Sequence, residues 1–264
     1  MEIEGRTVVL TGATSGIGAA AACRLAQEAD LLVVQGPEPE TDVAPLLREL
    51  RAAGRARVEY VSADFASFAE VRKAARQVLG TAEGIDVLIN NAGVPGSMGR
   101  QLTADGNERT IQVNYLALAL WSDLLVPGMN DGGRIVNVGS TTHRMTSLAL
   151  DDINLRRGYD PVRAYAQSKL AIVTYSAWLA GRLPRGISVV AISPGVISTG
   201  LLHAMFGGGG APVAHGAQRI REAVLADVPS GTYIDDGDVV AASDDALDTT
   251  TQDRLAELTR HLTA

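Results

Sequence analysis

Short apolar runs alternate with longer amphipathic stretches along most of this chain. Buried strands of parallel sheets are continuous apolar runs, whereas helices that cover them carry one apolar face. The alternation therefore predicts strands separated by helices. The predicted strands are residues 7–10, 31–34, 57–61, 87–90, 134–138 and 187–192, and the predicted helices are residues 16–29, 42–53, 67–79, 105–126 and 161–183.

Repeated strand–helix–strand units fold through right-handed crossovers into one parallel sheet. We therefore predict the α/β class, with a three-layer, Rossmann-type doubly wound parallel sheet and helices on both faces. The 264 residues suit a single domain, because no internal repeat or linker marks a second one. We expect residues 1–264 to form one domain.

Two segments break the rhythm of strands and helices. Residues 141–160 are polar and irregular, and they precede the last predicted helix. Residues 200–232 contain four consecutive glycines at 207–210, which need outside contacts to hold one backbone conformation. Long irregular segments in a compact domain are usually functional. We expect an inserted loop at 141–160 and a substrate lid at about 200–232, with a short helix at 217–228.

The composition limits which binding partners and which cellular compartment are expected. The net charge is −7 and the basic residues are scattered, which argues against nucleic acid or an anionic membrane as partner. The first six residues form a short acidic segment, unlike a targeting signal. No apolar stretch reaches the ~18 residues that a membrane span needs. The single cysteine, Cys23, cannot form an internal disulfide. We expect a cytoplasmic protein.

A glycine-rich loop follows the first predicted strand and opens the first predicted helix. Such a loop lets backbone N–H groups approach a pyrophosphate, and the helix dipole favours negative charge there. Gly12 allows the tight turn, and Gly16 allows the backbone to approach the pyrophosphate closely. Gly18 allows the helix to pack closely against the sheet. The predicted loop contacts are Thr11, Gly12, Thr14, Ser15, Gly16, Ile17 and Gly18.

Tyr165 and Lys169 lie four residues apart in a predicted helix, so both side chains project from the same face. A free tyrosine loses its proton near pH ~10. A lysine cation one turn away favours the phenolate and lowers that pKa. The pair is therefore a candidate acid/base group, although the pattern alone is common in helices.

The loop spacing Thr-Gly-x-x-x-Gly-x-Gly resembles the short-chain dehydrogenase/reductase family, and further motifs of that family follow in order. Asp64 matches the aspartate that binds the adenine ring, and Asn90–Gly93 matches the family's Asn-Asn-Ala-Gly. Pro194-Gly195 resembles the segment that holds the nicotinamide carboxamide. The resemblance implies further cofactor contacts at Asp64, Phe65, Asn91, Ala92, Gly93, Tyr165, Lys169, Pro194, Gly195, Val196 and Thr199.

The same resemblance implies a catalytic tetrad of Asn114, Ser140, Tyr165 and Lys169. Ser140 would donate a hydrogen bond to the substrate oxygen as charge builds there. Tyr165 would transfer the proton while hydride moves between nicotinamide and carbon. Lys169 would lower the phenol pKa and hold the ribose, and Asn114 would anchor a relay water.

Ser140 and Tyr165 are 25 positions apart, about twice the interval usual in the family. This spacing resembles the retinol-dehydrogenase and protochlorophyllide-reductase-like branch, as do residues 103–106, His143 and residues 230–233. The insertion beginning at Thr141 should fold over the substrate side, and His143 should fix its start. The histidines show no spacing typical of metal ligands, so no metal site is expected.

The cofactor is expected to be NAD or NADP, and the sequence leaves the choice open. A carboxylate at the end of the second strand would bind the ribose of NAD, whereas an arginine would accept the 2'-phosphate of NADP. Neither residue stands at the expected position in Gln35-Gly36-Pro37-Glu38. The resembling branch mostly uses NADP, but Glu38, Glu40 and Asp42 would repel a phosphate, which favours NAD.

These features indicate an oxidoreductase that interconverts a small-molecule ketone or aldehyde and its alcohol. The lid residues Leu201, Leu202, Met205 and Phe206 suggest a sizeable apolar substrate, such as a cyclic or polyketide-like ketone. The alternatives are a nucleotide-sensing protein without the chemistry, and C=C reduction, dehydration or epimerisation on the same site. Members of the resembling family commonly pair through the helices that carry Asn114 and Tyr165, so the sequence is compatible with a homodimer or homotetramer. The inserted loops are equally compatible with a monomer.

Overall fold

The computed structural model describes residues 2–184 and 186–264. Its strands form one sheet in the order β3-β2-β1-β4-β5-β6-β7-β8, in which β1 to β7 run parallel and β8 is antiparallel to β7. The strands are β1 Thr7–Leu10, β2 Leu31–Gly36, β3 Arg57–Ser62, β4 Ile85–Asn90, β5 Met129–Val138, β6 Ser188–Ser193, β7 Tyr233–Asp235 and β8 Asp238–Val240.

Helices cover both faces of this sheet, which confirms the predicted fold class. The helices are α1 Gly16–Leu25, α2 Glu40–Ala53, α3 Phe68–Thr81, α4 Arg109–Ile111, α5 Ala117–Leu125, α6 Pro161–Ala180, α7 Gly200–Phe206, α8 Val213–Leu225, α9 Asp244–Leu247 and α10 Thr249–Leu262. A π-helical turn, Gln112–Leu116, joins α4 to α5. Alternate residues of β1 face opposite layers: Val9 packs with α3, α5 and α6, whereas Val8 and Leu10 pack with α1, α2 and α8.

The strand pattern missed the hairpin of β7 and β8 at the end of the sheet. Each strand has only three residues, too few for alternation to be recognised. The turn between them contains Asp236 at φ 48° and Gly237 at φ 98°. An Asp-Gly pair is the usual sequence signal of such a turn, so this hairpin was recognisable from its turn rather than from its strands.

The predicted helix at 105–126 begins later and is interrupted. Glu108 accepts hydrogen bonds from the backbone N–H groups of Thr110 and Ile111 at 2.9 Å, so the helix begins at Arg109. The helix predicted at 217–228 spans Val213–Leu225. The sequence analysis did not predict α7, α9 or α10.

The strand order places two loops side by side at the centre of the sheet. β1 pairs with β2 on one side and with β4 on the other. The chain leaves these two central strands in opposite directions, which opens a crevice beyond their carboxyl ends. The loops that follow the strands from β1 to β6 all border this crevice.

The carboxyl-terminal helix α10 lies against α6 and the turn that precedes α5. The Tyr115 hydroxyl is fully buried and forms a 2.5 Å hydrogen bond with the Thr259 hydroxyl. Thr259 also donates to the Leu255 carbonyl at 2.7 Å. At the outer side of α6, Trp178 and Arg182 both donate to Asp253. α10 therefore covers part of the helix pair through which the sequence analysis expected subunits to associate.

Tyr115→Phe should lower the free energy of unfolding by about 1 kcal/mol, because it removes one buried hydrogen bond and leaves Thr259 with its other partner. Urea denaturation of the variant and the parent measures the difference. In a double-mutant cycle with Thr259→Val, the two effects should not add. Full additivity would mean that this contact does not hold α10.

Candidate active site

A cavity of about 780 Å³ occupies the crevice at the carboxyl ends of the strands. Four charged side chains contribute to its lining: Glu38, Asp64, Arg109 and Lys169. Most of the residues that the sequence motifs singled out line it together. These are Gly12, Thr14, Ser15, Gly16, Ile17, Gly18, Asp64, Phe65, Asn91, Ala92, Gly93, Ser140, Tyr165, Lys169, Pro194, Gly195, Val196 and Thr199.

The glycine loop after β1 lets backbone segments of the protein lie very close to one another. A Cβ atom on Gly18 would lie 1.9 Å from the Gly12 carbonyl oxygen, and one on Gly12 would lie 2.7 Å from Cα of Ala92. Gly12 also has a positive φ of 63°. Ser15 begins α1 without a side-chain hydrogen bond to the helix. The first N–H groups of α1 are therefore available to an anion in the cavity.

Thr11 lies behind the cavity wall and joins the loops after β1 and β4. Its hydroxyl oxygen accepts hydrogen bonds from the backbone N–H groups of Asn91 and Ala92, both at 3.0 Å. In return, the Asn91 amide donates to the carbonyls of Thr11 and Gly12, also at 3.0 Å. Thr11 therefore holds the phosphate loop in place and does not line the cavity itself.

The end of β2 contributes Gln35, Pro37 and Glu38 to the cavity, and of these the sequence analysis had considered only the charge of Glu38. The Gln35 amide accepts from Gly12 N–H at 3.2 Å and donates to the Ala63 carbonyl at 2.8 Å, so it supports the phosphate loop from behind. Pro37 and Glu38 line the cavity. Gly36 keeps the backbone close, since its Cβ would lie 2.3 Å from Cγ2 of Thr14. In the sequence, the available signal for this part of the site was a carboxylate shortly after the glycine at the end of the strand.

Glu38 differs from the two acidic residues that follow it. Its Oε2 atom is buried and has no hydrogen-bond partner among the residues that the structure describes. Glu40 and Asp42 are exposed in the first turn of α2, outside the cavity lining. Of these three residues, Glu38 alone brings its carboxylate to the cavity, although the sequence analysis treated the three alike.

Tyr165 and Lys169 are both buried on the cavity side of α6, with exposed fractions of 7% and 3%. The Lys169 ammonium donates to the Val138 carbonyl at 2.9 Å and lies 5.6 Å from the centre of the Tyr165 ring. Asp160 accepts a hydrogen bond from Arg163 N–H and so begins this helix. One helical turn brings the phenol and the ammonium into one cavity.

Burial governs the protonation of both groups. It raises the pKa of Tyr165 to about 12, against the opposing effect of the Ser140 hydroxyl. It also lowers the pKa of Lys169 to about 8. The net pKa of the phenol is therefore raised and not lowered, because desolvation outweighs the effect that the sequence analysis expected from Lys169. At neutral pH the phenol is protonated and the lysine is charged.

Ser140 lies two residues beyond the end of β5 and begins the 3₁₀ turn Thr141–Met145. Its hydroxyl oxygen accepts from the backbone N–H of Thr142 at 3.2 Å. That bond uses a lone pair of the oxygen and leaves the hydroxyl hydrogen free to be donated. Ser140 thus lines the cavity with a directed hydrogen-bond donor beside Tyr165.

Asn114 lies in the π-helical turn and is fully buried behind the cavity. Its amide nitrogen donates to the Val94 carbonyl at 3.0 Å and to the Ser168 hydroxyl at 2.9 Å. Its amide oxygen accepts from Val94 N–H at 2.7 Å. Because both amide hydrogens are used, the side chain clamps the segment after Gly93 to α6. The water relay implied by the resemblance stays a prediction.

The outer wall of the cavity is apolar and unusually exposed. Met145, Val196 and Phe206 line it with exposed fractions of 62%, 60% and 45%. Leu201 and Leu202 also line it, whereas Met205 does not. Large apolar side chains exposed together around an opening mark a binding surface.

The glycine run 207–210 lies in a loop that is pinned at its base. Ser198 N–H donates to the Ala211 carbonyl, and Ala211 N–H donates to the Val196 carbonyl, both at 2.8 Å. All four glycines of the run have positive φ values. α7 begins immediately after Thr199, whose hydroxyl accepts from Leu202 N–H. The apolar residues Leu201, Leu202 and Phe206 are therefore presented by a short helix.

Only the start of segment 141–160 borders the cavity, through Thr141, Thr142 and Met145. Farther along, Gln167 of α6 accepts from Ala149 N–H and donates to the Ile153 carbonyl. The first residues of the insertion therefore border the cavity, whereas its later residues pack along α6.

The two histidines of the 200–232 segment contact polar side chains of the protein. His215 lies 2.6 Å from the Asp236 carboxylate, and His203 lies 3.4 Å from the Ser198 hydroxyl. Within residues 2–184 and 186–264, no three metal-ligating side chains come together. No helix in these ranges is long and apolar enough to cross a membrane.

Two curated relatives share about a third of their aligned residues with this chain. Mouse polyprenol dehydrogenase is 37% identical over 207 residues, which cover 75% of this chain and 61% of the relative. Mouse retinol dehydrogenase 13 is 36% identical over 205 residues, which cover 75% of this chain and 60% of the relative. The chain thus matches about 60% of the length of these relatives.

Solved structures show the same architecture. A crystal structure of a protein from Mycobacterium Paratuberculosis has a TM-score of 0.81 and 30% identity, covering 99% of this chain and 94% of that chain. A short chain dehydrogenase from Burkholderia cenocepacia J2315, crystallised with NADP, has a TM-score of 0.72 and 27% identity, covering 89% and 97%.

The family match covers most of the chain. A sequence model described as short chain dehydrogenase matches residues 6–207. This range includes the glycine loop, the Asn-Asn-Ala-Gly segment and all four predicted catalytic residues. The chain belongs to the short-chain dehydrogenase family.

Proposed function

We propose that this protein is a nicotinamide-dependent oxidoreductase that interconverts an alcohol and the corresponding ketone or aldehyde. The observation that carries the proposal is the meeting of Tyr165, Ser140 and Lys169 in one cavity with the phosphate loop. A protonated phenol and a free hydroxyl donor are the two groups that a carbonyl oxygen needs when it becomes an alcohol.

The residues around the cavity fit a nicotinamide dinucleotide. The open N-terminus of α1 suits the pyrophosphate, and the missing Cβ atoms of Gly12 and Gly18 let the phosphate loop pack closely against the start of α1 and against Ala92. Asp64 lies at the end of β3 with Oδ1 bonded to Ala66 N–H, which leaves its second oxygen available for the adenine. When bound, the cofactor supplies or accepts the hydride.

The burial of the catalytic side chains determines which group supplies the proton in the reaction. In the reducing direction, Ser140 and Tyr165 donate hydrogen bonds to the carbonyl oxygen, and the Tyr165 proton is transferred to it as hydride reaches the carbon. The product is the alcohol, and Tyr165 is left as a phenolate beside the Lys169 cation. Because the Tyr165 pKa is about 12, the phenol retains its proton for this step at neutral pH.

We propose that NAD rather than NADP is the preferred cofactor. The buried Oε2 atom of Glu38 lacks a partner within the described residues and lies at the end of β2, where the adenosine ribose binds in this fold. Ribose hydroxyls would satisfy this carboxylate, whereas a 2'-phosphate would be repelled by it. The phosphate loop and the β2 end contribute no lysine or arginine to the cavity lining.

We propose a large apolar substrate. Five apolar side chains from both sides of the cavity entrance support this: Met145, Val196, Leu201, Leu202 and Phe206. The names of the two relatives, polyprenol dehydrogenase and retinol dehydrogenase 13, point to extended isoprenoid alcohols. Residues 200–210 would act as a lid over such a substrate.

Tyr165→Phe should reduce kcat by about 10² to 10⁴, the usual contribution of a general acid or base. The affinity for NADH should stay within about twofold, since only a hydroxyl is lost. Turnover is measured spectrophotometrically with retinal, farnesal and polycyclic ketones, and NADH affinity by fluorescence titration. Tyr159→Phe is the control, because that hydroxyl donates to the Ser97 carbonyl outside the cavity. Undiminished turnover of Tyr165→Phe would contradict the assignment.

Glu38→Gln should raise the affinity for NADPH relative to NADH by at least about tenfold, because it removes a negative charge that faces the ribose. Isothermal titration with both cofactors measures the ratio and requires no turnover. Glu40→Gln is the matched control, since this exposed carboxylate lies outside the cavity lining. A preference for NADPH in the parent protein would refute the proposed selection of NAD.

A further inference from the structure

His143 is buried directly behind the predicted catalytic serine. Its exposed fraction is 0%, and it lies within the 3₁₀ turn that Ser140 begins. The ring atom Nδ1 is 2.7 Å from the Ser140 carbonyl oxygen, and the backbone N–H of His143 donates to the same oxygen at 3.1 Å. The side chain thus adds a second hydrogen bond to the backbone of Ser140.

The other ring nitrogen connects this turn to a distant part of the chain. Nε2 of His143 accepts a hydrogen bond from the backbone N–H of Ser243 at 3.2 Å. A carbonyl oxygen can only accept and a backbone N–H can only donate. Both contacts are satisfied by one form alone, the neutral imidazole with its proton on Nδ1.

The surroundings of the ring favour that neutral form. Burial lowers the pKa of His143, and the nearby Arg144 cation lowers it further. The Ser140 carbonyl and Asp235 act in the opposite direction, but they do not overcome burial. The Tyr233 ring packs edge-on against the imidazole, with ring centres 4.8 Å apart.

The partners of His143 belong to a segment outside the family match, which ends at residue 207. Tyr233 and Ser243 both follow that point. Tyr233, Ala242 and Ala246 form a small apolar core with Leu170 and Val173 of α6, the helix that carries Tyr165 and Lys169. The carboxyl-terminal segment therefore contacts both catalytic elements, namely the end of β5 and α6.

We propose that His143 is a positioning residue, which orients Ser140 by linking its carbonyl to the backbone of Ser243. The carboxyl-terminal segment thereby takes part in setting the direction of the Ser140 hydroxyl, although it contributes no group to the reaction. The expected effect on turnover rests on the proposed function. The link itself rests on the two hydrogen bonds of the imidazole ring.

Two substitutions at Ser243 test the link without touching the cavity. Ser243 has φ −67°, which proline adopts, so Ser243→Pro removes the N–H with little change in backbone angle. Ser243→Ala keeps the N–H and removes a hydroxyl that has no partner within the described ranges. We expect Ser243→Pro to lower kcat by about 10-fold, as misplaced catalytic groups do, with unchanged NADH affinity. Ser243→Ala should match the parent.

A double-mutant cycle tests whether His143 acts through Ser140. His143→Phe preserves a ring and removes both hydrogen bonds, and it should lower kcat by about 10- to 100-fold. In a Ser140→Ala background, the same substitution should change kcat by less than about twofold. His143→Asn, whose amide can still donate to the Ser140 carbonyl, should recover part of the lost kcat. An equal loss in both backgrounds, or a parental kcat for Ser243→Pro, would overturn the proposal.

Nitrogen NMR of the histidine rings gives a readout that does not depend on turnover. With NAD bound, His143 should be the neutral Nδ1–H tautomer at pH 7 and should remain neutral well below the ordinary pKa of about 6.5. An Nε2–H tautomer or an imidazolium at pH 7 would refute the geometric basis. If the parent turns over no carbonyl substrate but shows this tautomer, the proposed function fails while the link from Ser140 to Ser243 stands.

Discussion

The hydrogen-bonded junction between the loops after β1 and β4 is the constraint on which the site depends. Thr11 and Asn91 exchange side-chain and backbone hydrogen bonds across the two central strands. The junction sets the phosphate loop beside the Asn-Asn-Ala-Gly segment, and Asn114 then fixes the residues after Gly93 to α6. A chain of short polar contacts therefore runs from the cofactor loop to the helix that carries the acid/base pair.

Burial of these side chains determines their protonation states. The same low-dielectric surroundings that strengthen hydrogen bonds also keep Tyr165 protonated and lower the pKa of Lys169 to about 8. A protonated phenol beside a cation is prepared to donate a proton and to be stabilised once it has done so. His143 follows the same logic, since burial keeps it in the neutral form that links Ser140 to Ser243.

Sequence reasoning succeeded where one local pattern determines one structure, and it failed where distant segments meet. The glycine loop and the Tyr165/Lys169 pair are local patterns, and the residues predicted from them line one cavity, apart from Thr11. The part played by Gln35 was missed, because its partners, Gly12 and Ala63, come from other strands. The short strands β7 and β8 were missed because three residues show no periodicity.

The sequence by itself determined the α/β architecture and the candidate chemistry, because apolar periodicity fixes which faces are buried and motif spacing fixes which groups share a loop or a helical turn. The tertiary structure alone decided that Glu38, rather than Glu40 or Asp42, reaches the cavity. It also decided that Asn114 is occupied by protein partners and that Tyr165 has a raised pKa. Desolvation and hydrogen-bond satisfaction depend on every neighbour in space, and sequence spacing does not specify those neighbours.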